Sequence, residues 1–487
     1  QTISAYTDIV NYINGDTTDT GARKNTSYVL YKDSLYFALG TIQNNYNLSI
    51  TAGGSGSAKP QILILTDESG NNAKLCVPHG NLNLEGIFIS GVDNSGKQLG
   101  DLIETGTTNI RISLKNCTID SVKNRIVIDD QDSCSVFFED CYISNIANSS
   151  HGGRVLDARE TVIDSVSFIN NTFYNIMHDI IGRFSGGEKY FKFDHNTIYN
   201  LMRCPLRIDV CPDIIVTNNL FIQTGFVGYL TSWEPFISAL DMGDRDEWTR
   251  VEIWPLDSSA AFTGYTQSIN FKNNNFWMDP AIIAQYPDTV HAYRTLDFDF
   301  EKQMVGTDTT TWLSEDVSFT STPTCKYIEM AIENWKDGSP QTNPGWTDNT
   351  RPYYFTYPTT KASYTAATGG FPLGDLNWWP EKKAQWILTD VKSVSGATLP
   401  AKYAIEQNFP NPFNPTTIIK YSIPKESLVK IKIYNVLGKE VATLVNSNQK
   451  AGEYNITFNA AKMASGVYFY NISAGNFNST KKMILMK

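Results

Sequence analysis

Apolar and polar positions along the middle of the chain repeat as a phrase. It runs Leu84-Glu-Gly-Ile-Phe-Ile-Ser-Gly-Val, Leu114-Lys-Asn-Cys-Thr-Ile-Asp-Ser-Val, Phe138-Glu-Asp-Cys-Tyr-Ile-Ser-Asn-Ile and Phe168-Ile-Asn-Asn-Thr-Phe-Tyr-Asn-Ile. It returns as Phe193-Asp-His-Asn-Thr-Ile-Tyr-Asn-Leu and Val216-Thr-Asn-Asn-Leu-Phe-Ile-Gln-Thr, then after a gap as Phe271-Lys-Asn-Asn-Asn-Phe-Trp-Met-Asp. Consecutive copies before the gap start 23 to 30 residues apart, a period that marks a solenoid. Each phrase is two short apolar stretches joined by a polar corner, most often Asn, which tolerates the left-handed backbone. One such rung cannot bury its apolar face, whereas stacked rungs share a continuous core. The pattern predicts an all-β fold, a right-handed parallel β-helix, with Asn116, Asp140, Asn170, His195, Asn218 and Asn273 at equivalent corners. The first five of these belong to one stack, and Cys117 and Cys141 should stack inside the core.

A second strand per rung aligns as Ile126–Asp130, Leu156–Arg159, Ile180–Phe184 and Leu206–Val210. Its in-out alternation places Val127, Asp157, Ile181 and Arg207 in one outward column and Asp129, Arg159, Arg183 and Asp209 in another. His151, His178, Glu188 and Lys189 fall in the flanking loops. Residues 1–60 lack the phrase and read as an N-terminal cap over the first rung. The β-helix proper then covers 61–300. An aromatic-rich region, 301–390, contains Trp312, Trp335, Trp346, Tyr353, Tyr354, Trp378, Trp379 and Trp386. It is expected to wrap back over the solenoid, although Trp378 and Trp379 also suit stacking on sugar rings. A small-residue linker, 391–402, precedes short alternating strands over 403–487, the pattern of a β-sandwich.

Phrases of the form F-x-N-N-T-F on rungs of this length resemble the pectate-lyase-like β-helix superfamily, and within it secreted proteins with domains of unknown function. The run Phe371-Pro-Leu-Gly-Asp-Leu-Asn-Trp-Trp-Pro380 resembles the end of the same group. Asn408-Phe-Pro-Asn-Pro-Phe-Asn-Pro415, Ile433-Tyr-Asn-Val-Leu-Gly438, Ala464-Ser-Gly-Val-Tyr-Phe469 and Lys481-Lys-Met-Ile-Leu-Met-Lys487 resemble the C-terminal sorting domain of type IX secretion cargo, an immunoglobulin-like module. That resemblance implies recognition by the type IX machinery and delivery to the outer surface of a Gram-negative cell or beyond. The chain begins at Gln1, which reads as a mature end after signal-peptide removal.

Composition narrows the chemistry. A net charge of −10 argues against a general nucleic-acid binder. No run of 18 or more apolar residues is present to span a membrane. Seven cysteines leave at least one thiol without an intramolecular disulfide partner, and Cys204 and Cys211 bracket a strand that a disulfide would suit. A lyase acting on an acidic polysaccharide needs cations against the uronate carboxylate and a base at C5. Arg159, Arg183, Lys189 and Arg207 supply candidate cations, and Asp129, Asp157 and Asp209 supply oxygen ligands for Ca²⁺. The competing reading pairs the two charge types across rungs. That makes the protein a cofactor-free structural or adhesive surface protein. It self-assembles into a filament or sheath through solenoid ends or the sandwich, with polysaccharide as the alternative partner.

Overall fold

In the computed structural model the chain is described except for residues 66–73, 93–99, 147–152, 184–185, 202–203, 226–248, 284–293, 297–308, 324–352, 391–402 and scattered single positions elsewhere. It divides into two units, Gln1–Pro380 and Glu381–Lys487.

The first unit is a parallel β-helix of three sheets with ten, nine and nine strands. The first sheet collects the strand that opens each phrase, from Leu82–Glu85 through Arg111–Lys115, Ser135–Glu139, Ser165–Ile169, Tyr190–Asp194 and Asp213–Thr217 to Ser268–Lys272. The second collects the closing strands, such as Tyr142–Ile146, Thr172–Ile176 and Thr197–Leu201. The third contains Asp101–Glu104, Arg125–Asp129, Arg154–Ala158, Ile181–Arg183 and Leu206–Val210.

Corners explain the regularity. Asn116, Asp140, Asn170, His195, Asn218 and Asn273 all adopt φ between 50° and 62°. Each of the first five donates its N–H to the residue before the next corner, as Asn170 does to the Asp194 carbonyl at 3.1 Å. Gly86 (φ 72°) opens the stack. A second left-handed stack, absent from the sequence reading, closes each phrase at Ser121, Asn145, Asn175, Asn200 and Gln223. Inside, Ile112, Val136, Val166, Phe191, Ile214 and Ile269 align in register, as do Leu114, Phe138, Phe168, Phe193, Val216 and Phe271. The Phe138 and Phe168 rings stack at 5.0 Å.

Beside the first corner runs a ladder of buried side chains. Asn171, Asn196 and Asn219 each donate an amide N–H to a carbonyl of the preceding rung, at Phe138, Phe168 and Phe193. Each also accepts, on its Oδ1, the backbone N–H one rung earlier. Asn274 ends the run on Val216. Cys117 and Cys141 occupy the same rung position and send their thiols to the Leu84 and Leu114 carbonyls at 3.4 and 3.3 Å. Burial pushes the Cys141 thiol well above its ordinary pKa. Cys204 and Cys211 are free thiols, so the disulfide considered for them is not formed. Cys325 lies outside the described residues.

The N-terminal boundary is earlier than the phrase suggests. Ser27–Tyr31 and Leu48–Gly53 join the first sheet, Leu35–Leu39 the second and Ile42–Asn44 the third, so much of 1–60 is solenoid. These rungs escape the sequence pattern because their corners fall on different residue types, Asp33 and Gly40 among them. Before Ser27, Thr2–Ile3 still pairs in the first sheet, and the cap lies between that strand and Ser27. Helix Ile9–Gly15, N-capped by Asp8, buries Ile9, Val10 and Ile13, and Asp8 bridges to Phe37. At the other end Leu313 bridges to Asn275, and Trp312 sits 5.0 Å from the Phe271 ring.

A buried carboxylate at the first corner carries a pH prediction. Burial opposes the charge of Asp194, but His195 at 3.1 Å, Lys192 at 3.4 Å and the Asn218 amide at 2.8 Å hold its pKa well below the usual carboxylate range. A depressed folded-state pKa contributes stability that is complete above about pH 4 and lost as pH falls below it. Asp194→Asn is expected to lower the denaturation midpoint at neutral pH and to flatten the acid limb below about pH 4. Chemical unfolding followed against pH reads both effects.

The second unit has antiparallel sheets of three and four strands, ordered Ala404–Ile405, Thr416–Ile423, Gly452–Asn459 and Glu440–Gln449, Ser427–Asn435, Gly466–Ala474, Phe477–Leu485. One core joins them, with Ile419 and Phe458 from the first and Ile431, Tyr470 and Met483 from the second. That is the sandwich the alternation predicts.

Candidate functional site

The charged side chains gather on the third sheet, but not in the predicted columns. Val127 pairs with Leu156, Ile128 with Asp157 and Asp129 with Ala158; Leu156, Asp157 and Ala158 pair in turn with Ile181, Gly182 and Arg183. Asp157 therefore lines up with Ile128 and Gly182, not with Val127 and Ile181. Asp129 lines up with Ala158 and Arg183, and Arg159 falls just past the strand. The reason is physical. Ile126 and Val127, like Val155 and Leu156, are both fully buried, so the period-2 signal that fixes register is missing here.

Asp157 is the hub. Its fully buried carboxylate meets Arg159 at 2.8 Å, Arg125 at 3.0 Å and Arg154 at 3.5 Å. Arg125 also makes a two-pronged contact with Asp101, at 2.7 and 3.1 Å. Arg154 is itself buried and continues to Asp179 at 3.2 Å, alongside His178, whose Nδ1 lies 2.6 Å from the same carboxylate. Gly182 makes room for this arrangement, because a Cβ there would come within 2.7 Å of both Arg154 Nε and Asp179 Oδ2. Asp129, also buried, accepts the Thr105 hydroxyl at 2.8 Å. The sequence reading singled out Asp157, Arg159 and His178 but missed Arg125, Arg154, Asp101 and Asp179. The signal was present, since Arg125 and Arg154 open the third-sheet strands of successive rungs.

The remaining candidates are dispersed. Lys189 is exposed and bonds Asp164 at 2.6 Å, which raises the lysine pKa. Arg207 is half-buried and in register with Glu252. The side chains of Arg183 and Asp209, and all of His151, lie outside the described residues. Calcium fits poorly where Asp157 is concerned, because its oxygens face guanidinium groups. Among the described residues no cluster of three or more His, Cys, Asp or Glu side chains is placed to hold a metal.

The aromatic region lies against the second sheet. Tyr174 is buried under Tyr353 and Phe355, with centroids 5.6 and 5.7 Å away. Trp378 donates its indole N–H to Thr172 Oγ1 at 2.8 Å, and that hydroxyl donates to buried Asp375 at 2.7 Å. Trp379 meets Tyr357 and Tyr364 edge-on. Gly374 donates to the Asn218 carbonyl and Asn377 to the Asn170 carbonyl, tying the segment to the corner stack. Both tryptophans are half-buried and engaged in packing.

Residues 407–486 match the family described as the secretion system C-terminal sorting domain. The chain matches none of the curated proteins and none of the solved structures with which it was compared. A type IX sorting tail implies an encounter with the secretion machinery and delivery to the cell surface or the extracellular space. No helix among the described residues is long and apolar enough to cross a membrane.

Proposed function

We propose that this is an exported structural or adhesive protein whose β-helix is a rigid extracellular scaffold, not a polysaccharide lyase. The observation that carries the reading is the engagement of Arg125, Arg154 and Arg159 on the single carboxylate of Asp157, with Asp101 and Asp179 completing the set. A lyase needs cations turned toward a substrate carboxylate, and these are turned toward their own. Packing of Trp378 against Thr172 and Phe355 supports the same reading over sugar stacking.

Self-association into a filament or sheath is the finer form of this proposal. Open solenoid ends were one expected route, but Ile9–Gly15 and Trp312–Leu313 cover strands at the two ends. Edge strands of the sandwich, Glu440–Gln449 and Gly452–Asn459 among them, remain as pairing surfaces. Secretion and native size test the proposal together. Deleting residues 407–486 should keep the solenoid from the cell surface, and the intact exported protein should sediment as a distribution of oligomers. Surface delivery without the tail would defeat the sorting assignment. A single species near 54.5 kDa at high concentration would defeat self-association alone.

A further inference from the structure

The sandwich differs in charge from the rest of the chain. Residues 403–487 carry ten Lys and four Glu, with no Asp, Arg or His, a net of +6 within a chain of net −10. Among its described residues the most exposed large apolar side chains stand together on one turn, where Val436 is 67% and Leu437 86% exposed. The turn is held by its own hydrogen bonds. Asn435 Oδ1 accepts the Leu437 and Lys439 N–H groups at 3.0 Å, Asn435 N–H donates to the Lys439 carbonyl, and Gly438 supplies the left-handed residue at φ 73°. Two apolar side chains are thus displayed on a rigid tip, not left on a loose loop.

Below the tip, Tyr434, Phe469 and Lys482 are paired across three neighbouring strands and share a face. Tyr434 and Phe469, with Val436, Asn471 and Thr480, line an open groove of about 470 Å³. Lys439 and Lys482 are exposed beside it, and Lys432 is held by Glu440 at 2.8 Å.

We infer that this tip docks on an anionic lipid surface, with Val436 and Leu437 entering the headgroup–acyl boundary and Lys439 and Lys482 meeting lipid phosphates. Size and charge select that occupant. Two side chains offer far less than the roughly 800 Å² per partner of a stable protein interface. A small apolar point with two exposed ammonium groups beside it, on a sandwich of net +6, suits shallow insertion, where apolar burial and attraction to anionic headgroups act together. The inference does not depend on whether the solenoid is structural or catalytic.

Co-sedimentation of the full chain with vesicles tests it. Binding is expected to phosphatidylcholine vesicles containing about 30 mol% phosphatidylglycerol, weakening as salt rises, and much less to pure phosphatidylcholine. Val436→Ser with Leu437→Ser should reduce partitioning at least tenfold with the melting temperature unchanged, since neither side chain is buried. Leu437→Trp should strengthen it, and Lys439→Glu with Lys482→Glu should weaken it only on anionic vesicles. Wild-type protein that stays in the supernatant with anionic vesicles would overturn the inference. So would a double-serine variant that binds as well as wild type. Loss of export in that variant without any vesicle binding would assign the tip to a protein receptor and equally overturn it.

Discussion

Asp157→Ala is expected to destabilise the solenoid by up to about 3–5 kcal/mol, the range for breaking a buried ion pair by removing one partner. Arg154 is the reason. Its guanidinium is buried, Gly182 closes one side of it, and the variant leaves it with Asp179 and His178 but without the hub carboxylate. Arg159→Ala should cost about 1 kcal/mol or less, because that side chain is 42% exposed and solvent already screens its contact. Denaturant midpoints on the two variants and wild type read the order. Equal losses would mean that Asp157 serves the exposed arm of the network as much as the buried one.

The second large effect belongs to the asparagine ladder. Asn196→Ala removes the acceptor for the Asn171 backbone and side-chain N–H groups, at 3.0 and 2.9 Å, and the donor to the Phe168 carbonyl. The Asn171 side-chain amide keeps its bond to the Phe138 carbonyl, so two buried groups are left unsatisfied at about 1–3 kcal/mol each, and a loss of roughly 2–6 kcal/mol is expected. Asn171→Cys should be milder than Asn171→Ala, because Cys141 and Cys117 already serve the same rung position by donating thiols to carbonyls. Unfolding midpoints for the three variants check this. A cysteine no better than alanine would show that the amide, not the donor, is what the rung requires.

The corners were legible because a left-handed backbone restricts residue choice, and Asn116, Asp140, Asn170 and Asn218 carry that restriction in the sequence. The core ladders followed, since the residues two and four positions before each corner, such as Val136 and Phe138 or Phe191 and Phe193, are apolar. The sandwich was legible from strict alternation such as Val429, Ile431 and Ile433, all buried in the structure. The third sheet was not. Its strands bury consecutive residues, so alternation cannot set register, and loops of different lengths lead into it. That is why Asp129 and Arg159 were placed opposite each other, and why Arg125 and Arg154 went unnoticed. The first rungs were hidden for another reason, as their corners do not fall on the repeating Asn.

The most direct test of the scaffold reading is incubation of the secreted full chain, with and without added Ca²⁺, with uronate polymers, followed by the absorbance of unsaturated products. The account predicts no product from the wild type, and no change in Arg159→Ala or Arg207→Ala. Product formation by the wild type that disappears in either variant, while folding is retained, would contradict it.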